Sequence, residues 1–257
     1  MTLKKCIWCL KSYPEITFNK RAHTIPKSLG GQNYNKNVCD NCNEYFGNRN
    51  SHNGKYSIEE ALKETFIITR KRLLSSKQVI KRKVGRFKSK FFEVKVKNGK
   101  YSLTIKSSFR FEKGFQNELA RAFKRGLYKV YLEELNRQKG MGQEEKYNII
   151  RDFARYDIGD LPVFYFDRKI GAFIMFDRES ETPFLFFDRM KYLIKSEKFD
   201  EIEFLGHVFG FPVTQFNQKD LEIYFKETKK LKTEFFRGFV KIEKLTDIDL
   251  TLSLMND

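Results

Sequence analysis

The sequence predicts an α+β fold in three parts: a small cysteine-rich module, a basic helix-and-hairpin region, and a mixed α+β sheet domain. Three observations predict it. All four cysteines lie within the first 42 residues, in two Cys-x-x-Cys pairs. Positive charge is concentrated in the first half of the chain. The second half alternates helix-period segments with period-two runs bounded by turn residues.

The 257 residues are 40% hydrophobic and 16% aromatic, with 27 Phe, enough to build a packed core. No uninterrupted apolar run reaches the ~18 residues of a membrane-spanning helix. The start, MTLKKCIWCLKSYPE, lacks an apolar signal core, so a cytoplasmic location is expected, with no membrane partner. The formal net charge is +17, divided as +6 over residues 1–55, +15 over 56–140 and −4 over 141–257. A basic first half beside a near-neutral second half points to a polyanion, nucleic acid above all.

Cys6 and Cys9 form CIWC, and Cys39 and Cys42 form CDNC, 29 residues on. Each knuckle places two thiolates within reach of one tetrahedral Zn²⁺. One structural zinc per chain would close a segment with too little apolar area to fold alone. A Cys₄ site has no open coordination position, so this zinc holds structure and leaves chemistry to other residues.

The loop between the knuckles is not one helix, because Pro26 and Gly30-Gly31 interrupt it. ITF, 16–18, is expected as a short strand. CDNCNEYFGN reads as a short helix starting at the second knuckle and ending near Gly47. The order is knuckle, hairpin or Ω-like loop, knuckle, helix.

The segment CIWC…AHTIPKSLGG…VCDNCNEYFGN resembles the HNH endonucleases of the ββα-metal fold, in their zinc-stapled Cys₄ branch. The resemblance covers about residues 4–50. It implies a metal-dependent phosphodiester hydrolase acting on DNA, by nicking or double-strand cleavage. It assigns His23 as the general base. It places Asn43, directly after the second knuckle, on a catalytic Mg²⁺ or another divalent metal. It makes Asn37 the amide that orients the base, with Asn35 or Asn33 as substitutes. Such a nuclease suits bacterial or phage DNA processing and antiviral defence.

One position departs from the family pattern. The residue before the base is usually an acid that binds the metal, and here it is Ala22. Three readings are open. Another residue supplies the ligand, with Asp40, Glu44, Glu15, Asn48 and His52 as candidates. His23 itself binds the metal. Or the module is catalytically inactive and only binds nucleic acid. His52, in the polar run NRNSHNG, is otherwise a solvated loop histidine, and His207, in EFLGHVFGF, reads as structural.

SIEEALKETFIITRKRLLS, 57–75, is a helix with Ser57 and Glu60 in a capping box. KRKVGRFKSKFF, 81–92, interleaves cations with Phe, as a phosphate-tracking surface does. Lys81, Arg82, Lys83, Arg86, Lys88 and Lys90 are the expected DNA contacts, with Lys27 in the module. No base-reading motif is visible, so low sequence preference is expected. FFEVKVKNGKYSLTIKSS is a hairpin turning at Asn98-Gly99.

Helices are expected at 115–135 and 144–156, the first with Leu119, Phe123, Leu127 and Tyr131 on one stripe. The Ile-Ile-Arg at 149–151 echoes a stretch in larger HNH proteins. Strands are expected at PVFYFD, IGAFIMFD, TPFLFFD and EIEFLGHVFGFPVTQF, as a meander in which Asp167, Asp177 and Asp188 start turns. A helix at 218–231 and a strand at about 235–243 complete the chain. The expected division is residues 1–55, 56–110 and 111–257. The last carries no phosphate loop, Ser-His-Asp set or Rossmann fingerprint, leaving regulation, targeting or homodimerisation as its roles.

Overall fold

Proline and glycine shape the N-terminal hairpin. Strand β1 (Ala22–His23) pairs antiparallel with β2 (Tyr34–Asn35), Ala22 opposite Asn35 and His23 opposite Tyr34. Between them Pro26 leads into a 3-10 turn at Lys27–Leu29, which Gly30 leaves at φ 91°. A Cβ on Gly31 would stand 1.9 Å from the Ile25 carbonyl oxygen, so only glycine fits there. Helix α1 (Asp40–Gly47) starts immediately after Cys39 and stops at Gly47, as expected.

The computed structural model describes residues 4–52, 56–75, 88–98, 100–168, 182–187, 196–231 and 236–252. The strand expected at 16–18 is absent. Its neighbourhood wraps a carboxylate instead: the Thr17 hydroxyl and the Asn19 and Lys20 amides all donate to Asp40. Those amides bond to a side chain, so no ladder forms.

Helix α2 (Ile58–Ser75) has half of the expected capping box: the Glu60 amide donates to Ser57 Oγ at 3.1 Å, but the Glu60 carboxylate is held by Arg49 instead of reaching back to the Ser57 backbone. Strands β3 (Phe92–Lys97) and β4 (Lys100–Ile105) form the expected hairpin, and Asn98 takes the left-handed conformation at φ 51°. Helix α3 (Lys113–Lys139) is 27 residues, roughly 40 Å at 1.5 Å per residue. Helix α4 (Asn148–Tyr156) packs beside it.

The second half holds a five-stranded antiparallel sheet. Its strands are β5 (Phe164–Arg168), β6 (Leu185–Phe186), β7 (Phe199–Phe204), β8 (His207–Pro212) and β9 (Phe236–Lys241), in the order β6-β7-β8-β5-β9. The order corrects the simple meander, because β5 lies between β8 and β9. Asp167 lies within β5 opposite Gly238, at a bulge, and so does not start a turn. Asp177, Asp188 and the run IGAFIMFD fall outside the described residues. Helix α5 (Gln218–Leu231) has the expected bounds.

Strand alternation gives the sheet two faces. Tyr165, Ile202, Phe204, Phe209 and Phe211 join the main core, and Phe66 of α2 meets Phe204, His207 and Phe209 there. Phe164, Phe166, Phe199 and Val208 face the other way, packing with Tyr224 of α5. The main core runs without a break from Cys6 to Leu252. The cysteine module, α2, α3 and the sheet therefore share one apolar interior. No helix among the described residues is long and apolar enough to cross a membrane.

Candidate active site and metal centre

The two knuckles converge. The four Sγ atoms of Cys6, Cys9, Cys39 and Cys42 lie within 4.8 Å of one another, and Cys9 and Cys39 Sγ are 3.8 Å apart. Tetrahedral zinc with bonds of about 2.3 Å spaces its sulfurs ~3.8 Å apart, so the donor set fits the ion. The backbone supports the thiolates: the Trp8 and Cys39 amides donate to Cys6 Sγ at 3.4 Å. Hydrogen bonds from Cys42 and Cys6 pull the Cys39 thiol down to about 4, while hydrogen bonds with Cys39 and Cys6, and burial, push Cys42 up.

Sequence inspection missed the outer support. Arg155 of α4 donates to Cys42 Sγ at 3.4 Å, with its guanidinium 3.9 Å from the Tyr45 ring centre. Arg151, buried, donates to the Ile7 carbonyl at 2.7 Å and to Gly142 O at 2.6 Å. The Ile-Ile-Arg stretch thus ties α4 to the first knuckle.

His23 projects from the hairpin between the knuckles and is half-buried. Burial lowers its pKa, and the charges of Lys27 and Lys129 lower it further, against a smaller opposing effect from Glu59. The ring is therefore neutral at pH 7, the form that accepts a proton. Its Nδ1 has no hydrogen-bond partner among the described residues.

The amide expected to orient His23 is elsewhere. Asn37 donates to the Lys5 carbonyl at 3.3 Å, and its oxygen accepts from Asn136 at 3.4 Å. Asn35 is also committed: it donates to the Glu133 carbonyl at 2.7 Å and accepts from the Asn37 amide at 2.8 Å. These bonds hold β2 against α3, which sequence spacing does not disclose.

What fixes the hairpin is a buried polar cluster on α3. Lys129, 1% exposed, donates from Nζ to His23 O at 2.5 Å and Thr24 O at 3.2 Å. The same ammonium pairs with Glu59 Oε1 at 3.0 Å and Glu133 Oε2 at 3.2 Å. Burial disfavours its charge, but Glu133 and Glu59 outweigh that and raise its pKa. Burial pushes Glu133 up to about 8, against the pull of Lys129 and the Trp8 indole, which donates at 3.0 Å. Glu134 accepts from Thr24 and Arg137. The i,i+4 pairing of Lys129 and Glu133 was visible in the sequence, but such pairs usually face solvent.

Asn43 lies on α1, half-buried, and its side chain has no hydrogen-bond partner among the described residues. His52 closes the 3-10 turn Arg49–His52, and its side chain lies outside what is described. Among the candidates for the missing ligand, Asp40 is taken by the three donors at Thr17, Asn19 and Lys20. Glu44 pairs with Lys20, and Glu15 with Lys11. Among the described residues, the four cysteines are the one group of three or more His, Cys, Asp or Glu drawn together tightly enough for a metal.

Lys27 is exposed in the turn after His23, and Lys88 and Lys90 are exposed before β3. Lys90 Nζ lies 5.5 Å from the Phe91 ring centre. Lys81, Arg82, Lys83 and Arg86 fall outside the described residues.

Residues 6–53 match the HNH endonuclease family model. The matched span holds both knuckles, the hairpin with His23, and α1 with Asn43. No curated protein and no solved structure matches the chain. The match covers the N-terminal part of the chain, and the hairpin within it is held against α3 by Lys129 and by the Asn35 side chain.

Proposed function

We propose that this chain is a metal-dependent endonuclease that hydrolyses phosphodiester bonds in DNA, with His23 as general base. The observation that carries the reading is a neutral imidazole on a hairpin held between two zinc knuckles and clamped from behind by Lys129. Hydrolysis needs an aligned water, a group to take its proton, and charge neutralisation at phosphate. His23 takes the proton. The Asn43 amide oxygen is a donor for a hard divalent cation, which when bound offsets charge on the phosphate and the leaving oxygen. Lys27, Lys88 and Lys90, with the basic run 81–86, attract the backbone and give low sequence preference. The division of the chain at about residues 55 and 110, a cytoplasmic location, and a homodimer or regulatory partner bound through residues 111–257 belong to the same reading. So does a role in bacterial or phage DNA processing or defence.

The test is plasmid cleavage by the zinc-loaded protein with Mg²⁺, Mn²⁺ or Ni²⁺, beside His23→Ala. Cleavage by wild type and its loss in the variant are expected. No nicking in any metal, or equal nicking by both proteins, overturns the assignment. Ala22 favours a second reading, an inactive zinc-stapled nucleic-acid-binding protein; DNA binding without cleavage in any metal is its result.

A further inference from the structure

We infer that the cavity between Tyr56, Lys90 and the N-terminus of α3 takes one unpaired nucleotide of a DNA strand, with the neighbouring base stacked on Phe111. Every residue of this site lies outside the 6–53 span that matches the HNH family. The inference shares its nucleic-acid partner with the reading above, but it requires no cleavage. Three observations carry it: the shape and lining of the cavity, an orphaned hydroxyl in its wall, and an exposed aromatic ring at its rim.

The cavity holds about 680 Å³, within the range of small-ligand sites. Lys90 and Arg110 line it, both exposed, and neither makes an ion pair among the described residues. Beside them α3 begins without a side-chain cap: the Glu112 side chain makes no capping bond. The first amides of a helix lack intrahelical partners and favour an anion. Two uncommitted cations next to an uncapped helix start fit a phosphate at the mouth of the cavity.

Tyr56 also lines the cavity, and its side chain is 8% exposed. Its hydroxyl has no hydrogen-bond partner among the described residues. Burial raises its pKa and the charge of Glu118 raises it further, so the phenol keeps its hydrogen and needs an acceptor. Glu118, an acceptor, lines the same cavity. A donor and an acceptor side by side match a base edge, which carries a carbonyl or ring nitrogen next to an N–H. A bare phosphate offers acceptors alone and would meet the carboxylates of Glu112 and Glu118. The lining therefore fits a nucleotide, base inward and phosphate outward, better than an inorganic anion.

The apolar surface has the matching form. Phe115, half-buried in the cavity wall, packs edge-on against Phe91 and Phe109, each at 5.6 Å between ring centres. Phe111 falls between Arg110 and Glu112, two residues of the lining, and is 69% exposed. Its ring is braced edge-on by Phe109 at 5.5 Å, and its carbonyl accepts from Gln116 at 2.7 Å. A rigid exposed ring beside free cations is a stacking platform for a base. In a duplex both faces of each base are already stacked, so the platform and the cavity serve unpaired DNA.

The test is fluorescence anisotropy on the full-length, zinc-loaded protein, with no other divalent metal added. The probes are a labelled oligodeoxythymidine and the same strand paired with oligodeoxyadenosine. Wild type should bind the single strand more tightly than the duplex. Phe111→Ala should weaken single-strand binding by about 5–150-fold, the worth of one stacked base, and leave duplex binding unchanged. Arg110→Gln should make the salt dependence of single-strand binding shallower by about 0.7 in log–log slope. Tyr56→Phe should weaken it by about 2–10-fold without lowering Tm, because the hydroxyl bonds to nothing in the free protein. Equal affinity for both probes, wild-type affinity in Phe111→Ala or Tyr56→Phe, or an unchanged slope in Arg110→Gln overturns the inference. If a variant loses zinc or unfolds, ultraviolet crosslinking of the strand to wild type decides. Crosslinks at Phe111 and Phe115 support the site, and crosslinks confined elsewhere refute it. Single-strand binding of this pattern without cleavage in any metal would sink the nuclease reading and leave the site standing. Cleavage with equal affinity for both probes would do the reverse.

Discussion

Replacing Lys129 by Met removes one ammonium with little change in volume, so cavity formation contributes little and polar losses dominate. Four groups lose their partner: the His23 and Thr24 carbonyls and the Glu59 and Glu133 carboxylates. Leaving one member of a buried ion pair alone costs about 3–5 kcal/mol. Burial favours the protonated form of Glu133 and the ammonium opposes it, so loss of the ammonium shifts Glu133 toward its neutral form and limits the cost. At 2–4 °C per kcal/mol for a chain of this size, Tm falls by roughly 6–20 °C. Thermal unfolding followed by circular dichroism at pH 7 measures it. The double variant Lys129→Met/Glu133→Gln is expected to recover part of the loss, because position 133 then carries no carboxylate left without its ammonium and the Trp8 indole keeps an acceptor. A single variant within about 1 kcal/mol of wild type, or a double variant less stable than the single, would refute the clamp.

Four further outcomes are expected. His207 is fully buried, with its pKa lowered to about 3 by burial, and the Thr69 hydroxyl already donates to Leu250 O. Nε2–H therefore donates to Thr69 at 2.7 Å, and Nδ1 accepts from Tyr165 at 3.3 Å. Its contribution to stability is present in full above its ordinary pKa of about 6.5 and is lost as pH falls toward 3; His207→Asn should flatten urea-unfolding stability across that window, and an unchanged slope would refute it. Gly31→Ala drives a Cβ into the Ile25 carbonyl and should cost several kcal/mol, on the order of a severe backbone clash, with loss of soluble zinc-bound protein as the readout. Chelation of the zinc should abolish hydrogen-exchange protection in α1 and the hairpin before the five-stranded sheet opens, and simultaneous loss in both would contradict a stapling role. Because the His23 pKa lies below the ordinary histidine value, the acidic limb of the cleavage profile should fall below pH 6.5; a limb above it would assign the base elsewhere.

The sequence by itself determined the pieces whose cause is local. Two Cys-x-x-Cys pairs can converge on one ion whatever surrounds them. Ser57 with Glu60, Asn98-Gly99, and the apolar stripe of α3 are each set by interactions within a few residues. The HNH region, the position of His23 and the order of its elements were legible for that reason. Tertiary structure decided what depends on distant partners. Asn37 and Asn35 carry the right chemistry for orienting a base, yet α3, about 100 residues later, claims their amides. Lys129, Glu133 and Glu134 read as an ordinary charged helix face, and only packing against the hairpin turns them into a buried clamp. Glu59 looks like a first-turn helix acid. Its place beside Lys129 comes from how α2 and α3 meet, a long-range fact that no local spacing encodes.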